Sequence, residues 1–354
     1  MPSRVRALLP AALVTVVLAA CSDSATPPTA AASRIAKTVA SDFPVAQATI
    51  RVLTGLSPTG GFTAASINDS DEVVGNRDGI GPYKWTPAHG VQYLSVGNFP
   101  NTPTAIAVND NGVIIGVGGD TTAQAIVWLP DGTMRLLPKD TLSKTLPQPA
   151  SCGPVAINIY AQIVGACNSD VASIEGVIYN WHAPAVASPI AQQFTSISDD
   201  GWMGGQLKNG GPFVQSSTGE VVTLYGHDNM LHANGSWVNA VTRHGYAAGQ
   251  SDEGGCLQAV AWLYAAGQHW PEFRMGVCGT ASGITPDWYV VGTAWDPNFT
   301  PASQFAFVWF PEKGTQQLPG LSQGIVTSAV AVNSSHHVLG TIGSQVVIWN
   351  VGPR

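Results

Sequence analysis

Three observations predict an all-β fold for this sequence, a seven-bladed β-propeller of four-stranded blades. A unit of 40–49 residues recurs seven times, and each copy holds short apolar runs separated by turn residues. The 39 Gly and 25 Pro among 354 residues interrupt every stretch long enough for a helical solenoid.

The copies are registered by a glycine ending their second run: Gly75, Gly116, Gly165, Gly205, Gly249, Gly292 and Gly340. Ahead of each stand a first strand and a turn, as in AASINDSDEVVG, AIAVNDNGVIIG and AVAVNSSHHVLG. A third apolar run follows, ending at Trp85, Trp128, Trp181, Trp262, Trp309 and Trp349, with Gln215 in the fourth copy. A recurring aromatic there reads as packing, because it fills the wedge between neighbouring blades. The seventh copy stops at Trp349-Asn350-Val351 without a fourth strand. Ahead of the first copy, Ile50-Arg51-Val52-Leu53 matches the end of copy six, Gln316-Gln317-Leu318. The N-terminal strand is therefore expected to complete the last blade and close the ring, which removes exposed sheet edges.

The pattern A-x-x-I-N-x-x-G-x-V-V-G, then A-F-x-W and Leu, resembles the bacterial HAF extracellular repeats. Copy two and copy six (QFAFVWFPEKGTQQL) match it best, and the resemblance covers about residues 50–350. Copies four and five depart from it, with Ser198 and Thr242 in place of the Asn. The resemblance implies a secreted or surface-attached propeller and no common activity, since the shared residues are turn and packing residues.

Within each copy the first-to-second and third-to-fourth connections are tight turns, such as Asp110-Asn111-Gly112 and Pro130-Asp131-Gly132. The second-to-third loops and the links between copies are longer and vary. Antiparallel order puts these two variable sets on one face, the expected binding face, since function tends to sit on loops held by a rigid scaffold. The candidate contact residues there are His227, Asp228, His232 and Trp237, then Asp252 and Glu253, then Trp295, Asp296 and Phe299. Aromatics beside carboxylates suit stacking on a sugar ring or gripping a peptide; covering long loops is the plainer role for the two Trp. Four cysteines share this side. Pairing of adjacent strands predicts disulfides Cys152–Cys167 and Cys256–Cys278, whereas metal binding lacks a C-x-x-C or a suitably spaced His.

The N-terminus reads as a targeting segment. Arg4 and Arg6 precede an apolar run, Leu8 to Ala20, too short to span a bilayer comfortably. It ends in Leu18-Ala19-Ala20-Cys21, which resembles the bacterial lipobox and implies cleavage before Cys21 and acylation of that residue. Ser22 follows without the Asp that marks inner-membrane retention, so an outer membrane is the expected destination. The domains are then a signal peptide (1–20), a tether with lipidated Cys21 (21–47) and the propeller (48–354). The Ala-, Ser-, Thr- and Pro-rich tether holds few large apolar groups to bury. Cleavage leaves 13 basic against 22 acidic side chains, a formal charge of −9. With no basic run, a nucleic-acid partner is excluded on charge, and a monomer without cofactor or metal is expected.

No G-x-S-x-G, H-E-x-x-H or G-x-x-x-x-G-K string occurs. The Asp-rich turns Asn68-Asp69-Ser70-Asp71 and Asp199-Asp200-Gly201 lack full calcium-loop spacing and read as hairpin turns. The expected function is a lipid-anchored binding module for a glycan, peptide or envelope protein on the variable-loop face. An enzyme, a glycan hydrolase or lyase with carboxylates from several blades around the axis, is the alternative. Replacing Cys21 by Ser should move the protein from the membrane to the soluble fraction; unchanged fractionation would contradict the lipobox.

Overall fold

In the computed structural model the described residues are 43–57, 59–119, 123–138, 150–169, 175–226, 235–253, 256–263, 272–295, 304–321 and 325–352. Cys21 and most of the tether lie outside them. The described residues form an all-β propeller with a single 3-10 turn, Arg243–Gly245, and no helix long and apolar enough to cross a membrane.

Copy one contributes β2 (Phe62–Ile67), β3 (Val73–Arg77), β4 (Gly81–Thr86) and β5 (Gly90–Tyr93). Copy two follows with β6 (Thr104–Val108), β7 (Ile114–Gly118), β8 (Gln124–Trp128) and β9 (Met134–Leu136). Copy three has β10 (Ala150–Ile157), β11 (Ile163–Ser169), β12 (Glu175–Tyr179) and β13 (Val186–Ala187). Copy four has β14 (Ala191–Ile197), β15 (Met203–Leu207), β16 (Pro212–Gln215) and β17 (Val221–Thr223). Each set is an antiparallel four-stranded sheet in sequence order.

The next two copies depart from expectation. β18 (Trp237–Val241), β19 (Ala247–Glu253), β20 (Cys256–Trp262), β21 (Glu272–Ile284), β22 (Val290–Ala294), β23 (Phe305–Phe310) and β24 (Gly314–Gln317) form one seven-stranded sheet. Where seven four-stranded sheets are expected, the structure thus has five, plus this one. The cause is β21: its first half pairs with β20 (Trp262↔Glu272) and its second half with β22 (Ile284↔Val290), with no link between. The last sheet has the order β1-β27-β26-β25, from β25 (Thr327–Val332), β26 (His337–Ile342), β27 (Gln345–Asn350) and β1 (Thr49–Val52). The N-terminal strand pairs with the C-terminal one, Ile50 opposite Trp349, as the sequence predicts.

The repeated glycine has a steric cause. In every copy the first strand bulges opposite it, as between Ala64 and Ser66 or Ala105 and Ala107. A Cβ on any of the seven glycines would stand 1.9–2.1 Å from a first-strand carbonyl oxygen, for example 2.1 Å from Thr104 O at Gly116. Only a residue without Cβ fits.

The tryptophans pack as expected. Trp85, Trp128, Trp262, Trp309 and Trp349 are buried. Four of them donate their indole N–H to a carbonyl just past the outermost strand of the preceding sheet position: Trp85 to Thr54, Trp128 to Ser95, Trp262 to Tyr225 and Trp349 to Pro319, at 2.8–3.2 Å. Trp181 departs. Tyr179, opposite Ile163, holds the register position that Trp128 holds opposite Ile114, and Trp181 donates instead to Ala161 O within its own copy. Copy three is therefore anchored by a tyrosine two residues earlier than expected.

Gly116→Ala should destabilise the protein by about 1–3 kcal/mol through overpacking. Gly153→Ala, whose Cβ would meet nothing nearer than 3.9 Å, should change little. Thermal unfolding followed by circular dichroism checks both, and equal melting points would contradict the steric account.

Candidate functional site

Each first strand ends in a β-branched residue followed by Asn, Ser or Thr, and these seven ends surround one axial cavity of about 460 Å³. In copies one, two, three and seven, Asn68, Asn109, Asn158 and Asn333 do two things at once. The side-chain oxygen accepts N–H groups two and four residues on, as Asn109 does from Asn111 (3.1 Å) and Val113 (2.9 Å), which shapes the turn. The Nδ2 donates to the carbonyl at the same place in the next copy: Asn68 to Asn109, Asn109 to Asn158, Asn158 to Ser198, and Asn333 to Asn68, at 2.9–3.1 Å.

Ser198 and Thr285 keep the first task only, accepting from Trp202 and Tyr289 N–H at 3.0 Å. Their hydroxyls have no second arm to reach across. In copies four, five and six the crossing bond starts instead from the bulge residue: Thr195 to Val238 O, Asn239 to Ala281 O and Ser282 to Ala329 O, at 2.6–3.0 Å. All seven junctions between copies, copy seven to copy one included, carry at least one side-chain-to-carbonyl bond.

The cavity wall is a ring of aliphatics: Ile67, Val108, Ile157, Ile197, Val241, Ile284 and Val332. The rim is set two residues further on and is chemically mixed, with Asp69, Asp110, Ile159, Asp199, Arg243, Pro286 and Ser334. The carboxylates also tie neighbouring copies together. Asp69 accepts from Ser334 N–H (2.8 Å) and Oγ–H (2.6 Å), Asp110 from Asp69 N–H (2.8 Å), and Asp199 from Ile159 N–H (3.0 Å). Arg243 stands 3.7 Å from Asp199. Burial raises the Asp110 pKa above the usual carboxylate value; the N–H of Asp69 opposes this, the negative charges of Asp69 and Asp199 add to it, and Arg243 offsets part.

A second polar cluster sits on the same turn face, at the junction of copies seven and one. Asp71 receives Nδ1–H of His337 (2.6 Å), Nδ2–H of Asn333 (3.1 Å) and a guanidinium N–H of Arg51 on the closing strand (2.9 Å). Burial alone would raise its pKa, but His337 and Arg51 outweigh that and hold it below the ordinary value. Nearby, His336 stacks on Tyr289 at 3.9 Å and pairs with Asp287 at 2.8 Å. Trp288, in the left-handed region at φ 70°, meets Tyr246 edge to face at 5.6 Å.

The expected site residues lie on the other face where they are described at all. Both disulfides are present, Cys152–Cys167 between directly opposed strand partners and Cys256–Cys278 at the join of copies five and six. Trp237 is half-buried at the start of β18, Asp252 is exposed and its backbone N–H donates to Ser236 Oγ at 3.0 Å, and Glu253 ends β19. Trp295 is half-buried, with its N–H on Cys278 O at 2.9 Å. His227, Asp228, His232, Asp296 and Phe299 lie outside the described residues. The Asp-rich turns act as hairpin turns, and among the described residues no group of three or more His, Cys, Asp or Glu is placed to hold a metal ion. The rim residues were not among the expected contacts, although the sequence displays them: the residue after the repeated Asn, Ser or Thr reads Asp, Asp, Ile, Asp, Arg, Pro, Ser around the ring.

No protein-family model and no curated protein matches this chain in sequence. Solved structures do match in fold. A streptogramin B lyase has a TM-score of 0.56 at 10% identity, covering 86% of this chain and 97% of the other. YCF48 bound to D1 peptide scores 0.51 at 11% identity, covering 88% and 98%, and the RRP9 WD40 repeats score 0.50 at 12%, covering 87% and 98%. At such identities the likeness shows the β-propeller fold alone.

Asp71→Asn keeps the shape and tolerates the positive φ of 58° while removing the charge. A carboxylate whose pKa is lowered by folding stabilises the fold above its unfolded pKa, about 3.9, and loses that contribution as pH falls through the folded value. The wild type should melt higher than the variant near neutral pH, and the gap should close below about pH 4. A gap independent of pH would refute the charge argument.

Proposed function

We propose that this protein is a seven-bladed propeller displayed outside the cytoplasm on lipidated Cys21, working as a binding module that takes its ligand in the axial cavity. The observation that carries the reading is that cavity, where the seven first strands converge and aliphatic side chains alternate with polar ones from the turns to make one concave, chemically mixed surface. Among the described residues, a depression on the variable-loop face between copies two and three is smaller, about 200 Å³, and is lined mainly by small and polar residues. Seven first strands and seven crossing bonds support the blade count, with β21 serving two blades at once. Two disulfides support an oxidising compartment, and the lipobox and HAF-like pattern support attachment to the outer membrane. Binding is favoured over catalysis because the rim carboxylates serve as fixed acceptors for backbone N–H groups of neighbouring copies.

A second reading, an enzyme acting on glycans, is favoured by one observation: Asp69, Asp110 and Asp199 line a single cavity, and the Asp110 pKa is raised. The similar structures include both a protein named a lyase and one bound to a peptide.

A glycan array and an envelope pull-down with residues 22–354 test the proposal. Val332→Phe, which sets a bulky ring in the cavity, should weaken capture while circular dichroism stays unchanged, and Trp237→Ala with Trp295→Ala should retain it. The opposite pattern would return the site to the variable-loop face. Cleavage or elimination of a captured glycan, lost in Asp110→Asn, would establish the enzyme instead.

A further inference from the structure

We infer that the propeller rests against a lipid surface with one sector of its variable-loop face, built from copies seven and one beside the point where the tether leaves the fold. The inference goes beyond the ligand reading above and rests on the acylation of Cys21.

The exit point is pinned. Pro44-Val45-Ala46 form a short parallel bridge with the outermost strand of copy six: Ala46 N–H donates to Gln317 O at 2.8 Å, and Gln317 N–H donates to Pro44 O at 2.9 Å. Ala46 is buried, and the Phe43 ring stands 5.8 Å from that of Phe305. Residues 22–42 separate this clasp from Cys21, and 21 residues reach at most about 75 Å. So short a lead makes contact with the bilayer an intramolecular event, and a surface of weak intrinsic affinity then suffices.

The sector begins at the clasp and is continuous. It comprises residues 318–327, 341–346, 52–62, 77–81 and 93–104, which are the links flanking copies seven and one and their second-to-third loops. Main-chain bonds join the first four in turn: Gly343 N–H to Val326 O (2.8 Å), Leu53 N–H to Val346 O (3.2 Å) and Asp78 N–H to Gly61 O (3.1 Å). A Cβ on Gly81 would stand 3.2 Å from Val96, which brings in the fifth. Arg77 and Asp78 are the only charged residues in all five segments. The second-to-third loops of copies two to six each carry at least one, such as Asp120, Lys208 and Asp252.

Exposed apolar side chains gather in the same sector. Val52, Ile80, Val96, Leu321 and Ile325 are each 38–50% exposed, and Val45 on the clasp is 62% exposed. The interfacial zone of a bilayer takes up such groups at roughly 25 cal/mol per Å² buried. The rest of the surface suits lipid less well. Removal of the signal leaves 13 basic against 22 acidic side chains, and carboxylates are repelled by anionic lipid and costly to dehydrate. A protein of that charge settles on the part that carries almost none. It then turns the opposite face, with the axial cavity, away from the bilayer.

The test uses the full mature lipoprotein. Cys21 is acylated in this reading and the other four cysteines form disulfides, so an added cysteine is the one free thiol. Ile325→Cys, Val96→Cys and, on the turn face, Tyr160→Cys are each labelled with bimane. The proteins are reconstituted with phosphatidylethanolamine–phosphatidylglycerol vesicles that contain a doxyl-labelled phospholipid. Labels at 325 and 96 should be quenched, whereas the label at 160, a position 75% exposed in copy three, should stay bright. Leu321→Asp with Ile80→Asp should relieve the quenching at 96 while the protein still floats with the vesicles through its anchor. Equal quenching at all three positions, or none at 325 and 96 in a protein that floats, would overturn the inference and leave the anchor standing. A protein that does not float would refute the anchor, and this inference with it. Labels unquenched in vesicles but shielded from iodide in native envelopes would assign the sector to an envelope protein in place of lipid.

Discussion

Each copy hands one hydrogen bond across to a first-strand or turn carbonyl of the next, and the ring depends on that transfer. The receiving turn carbonyls of Asn68, Asn109, Asn158 and Ser198 already accept the N–H three residues on in their own turn, and each has a second lone pair that needs a donor from elsewhere. Asn68, Asn109, Asn158 and Asn333 meet that need from the turn. Thr195, Asn239 and Ser282 meet it from the bulge. The donor moves by three residues and changes type, yet no junction is left without one. What is conserved around the ring is the bond, not the side chain that makes it. Because the bond from Asn333 reaches back to Asn68, the two ends of the repeat array are held on the inside by the same device that holds every other junction.

The outer closure works differently. β1 supplies the missing fourth strand of the last sheet, and Arg51 on that strand reaches Asp71, which also binds His337 and Asn333. Three parts of the chain distant in sequence thus meet at one carboxylate. A partly buried charge with three donors is stable while all are present, and removing one leaves the others facing a charge that burial disfavours. Two junctions before that closure, β21 passes through two sheet positions without a turn, and the Cys256–Cys278 bridge ties β20 to that join.

Much of this architecture was legible in the sequence because it follows from local chemistry repeated seven times. The glycine recurs because a bulged backbone passes within 2.1 Å of where its Cβ would be, so substitution is blocked in every copy. Closure by residues 49–52 was readable because copy seven lacks a strand that the N-terminus supplies. The seven-stranded sheet was not readable, since a strand that serves two neighbours has the same apolar pattern as two strands joined by a short link. Trp181 misled for a related reason: Tyr179 two residues earlier points to the same side of a period-two strand, so either could be the anchor. The axial site was missed because its residues sit in turns that seemed fully explained as turns. Convergence on an axis is a property of seven distant segments, and no window of sequence displays it.

That last point decides where variation can be functional. The residue before the repeated Asn must be β-branched to fill the inner wall, and the Asn or its Ser and Thr substitutes must shape the turn. The residue after it is bound by neither duty, and it differs around the ring as Asp, Asp, Ile, Asp, Arg, Pro, Ser. Its side chain stands at the rim whatever its identity, because the turn geometry comes from its neighbours' backbone contacts. A propeller of this kind can therefore change the charge and shape of its axial opening one residue per copy without disturbing the inner wall, and the three carboxylates there exchange hydrogen bonds with neighbouring copies besides. Long loops on the other face vary in length, which alters the surface only where a loop happens to reach. The tight turns vary in chemistry at seven fixed points around one cavity.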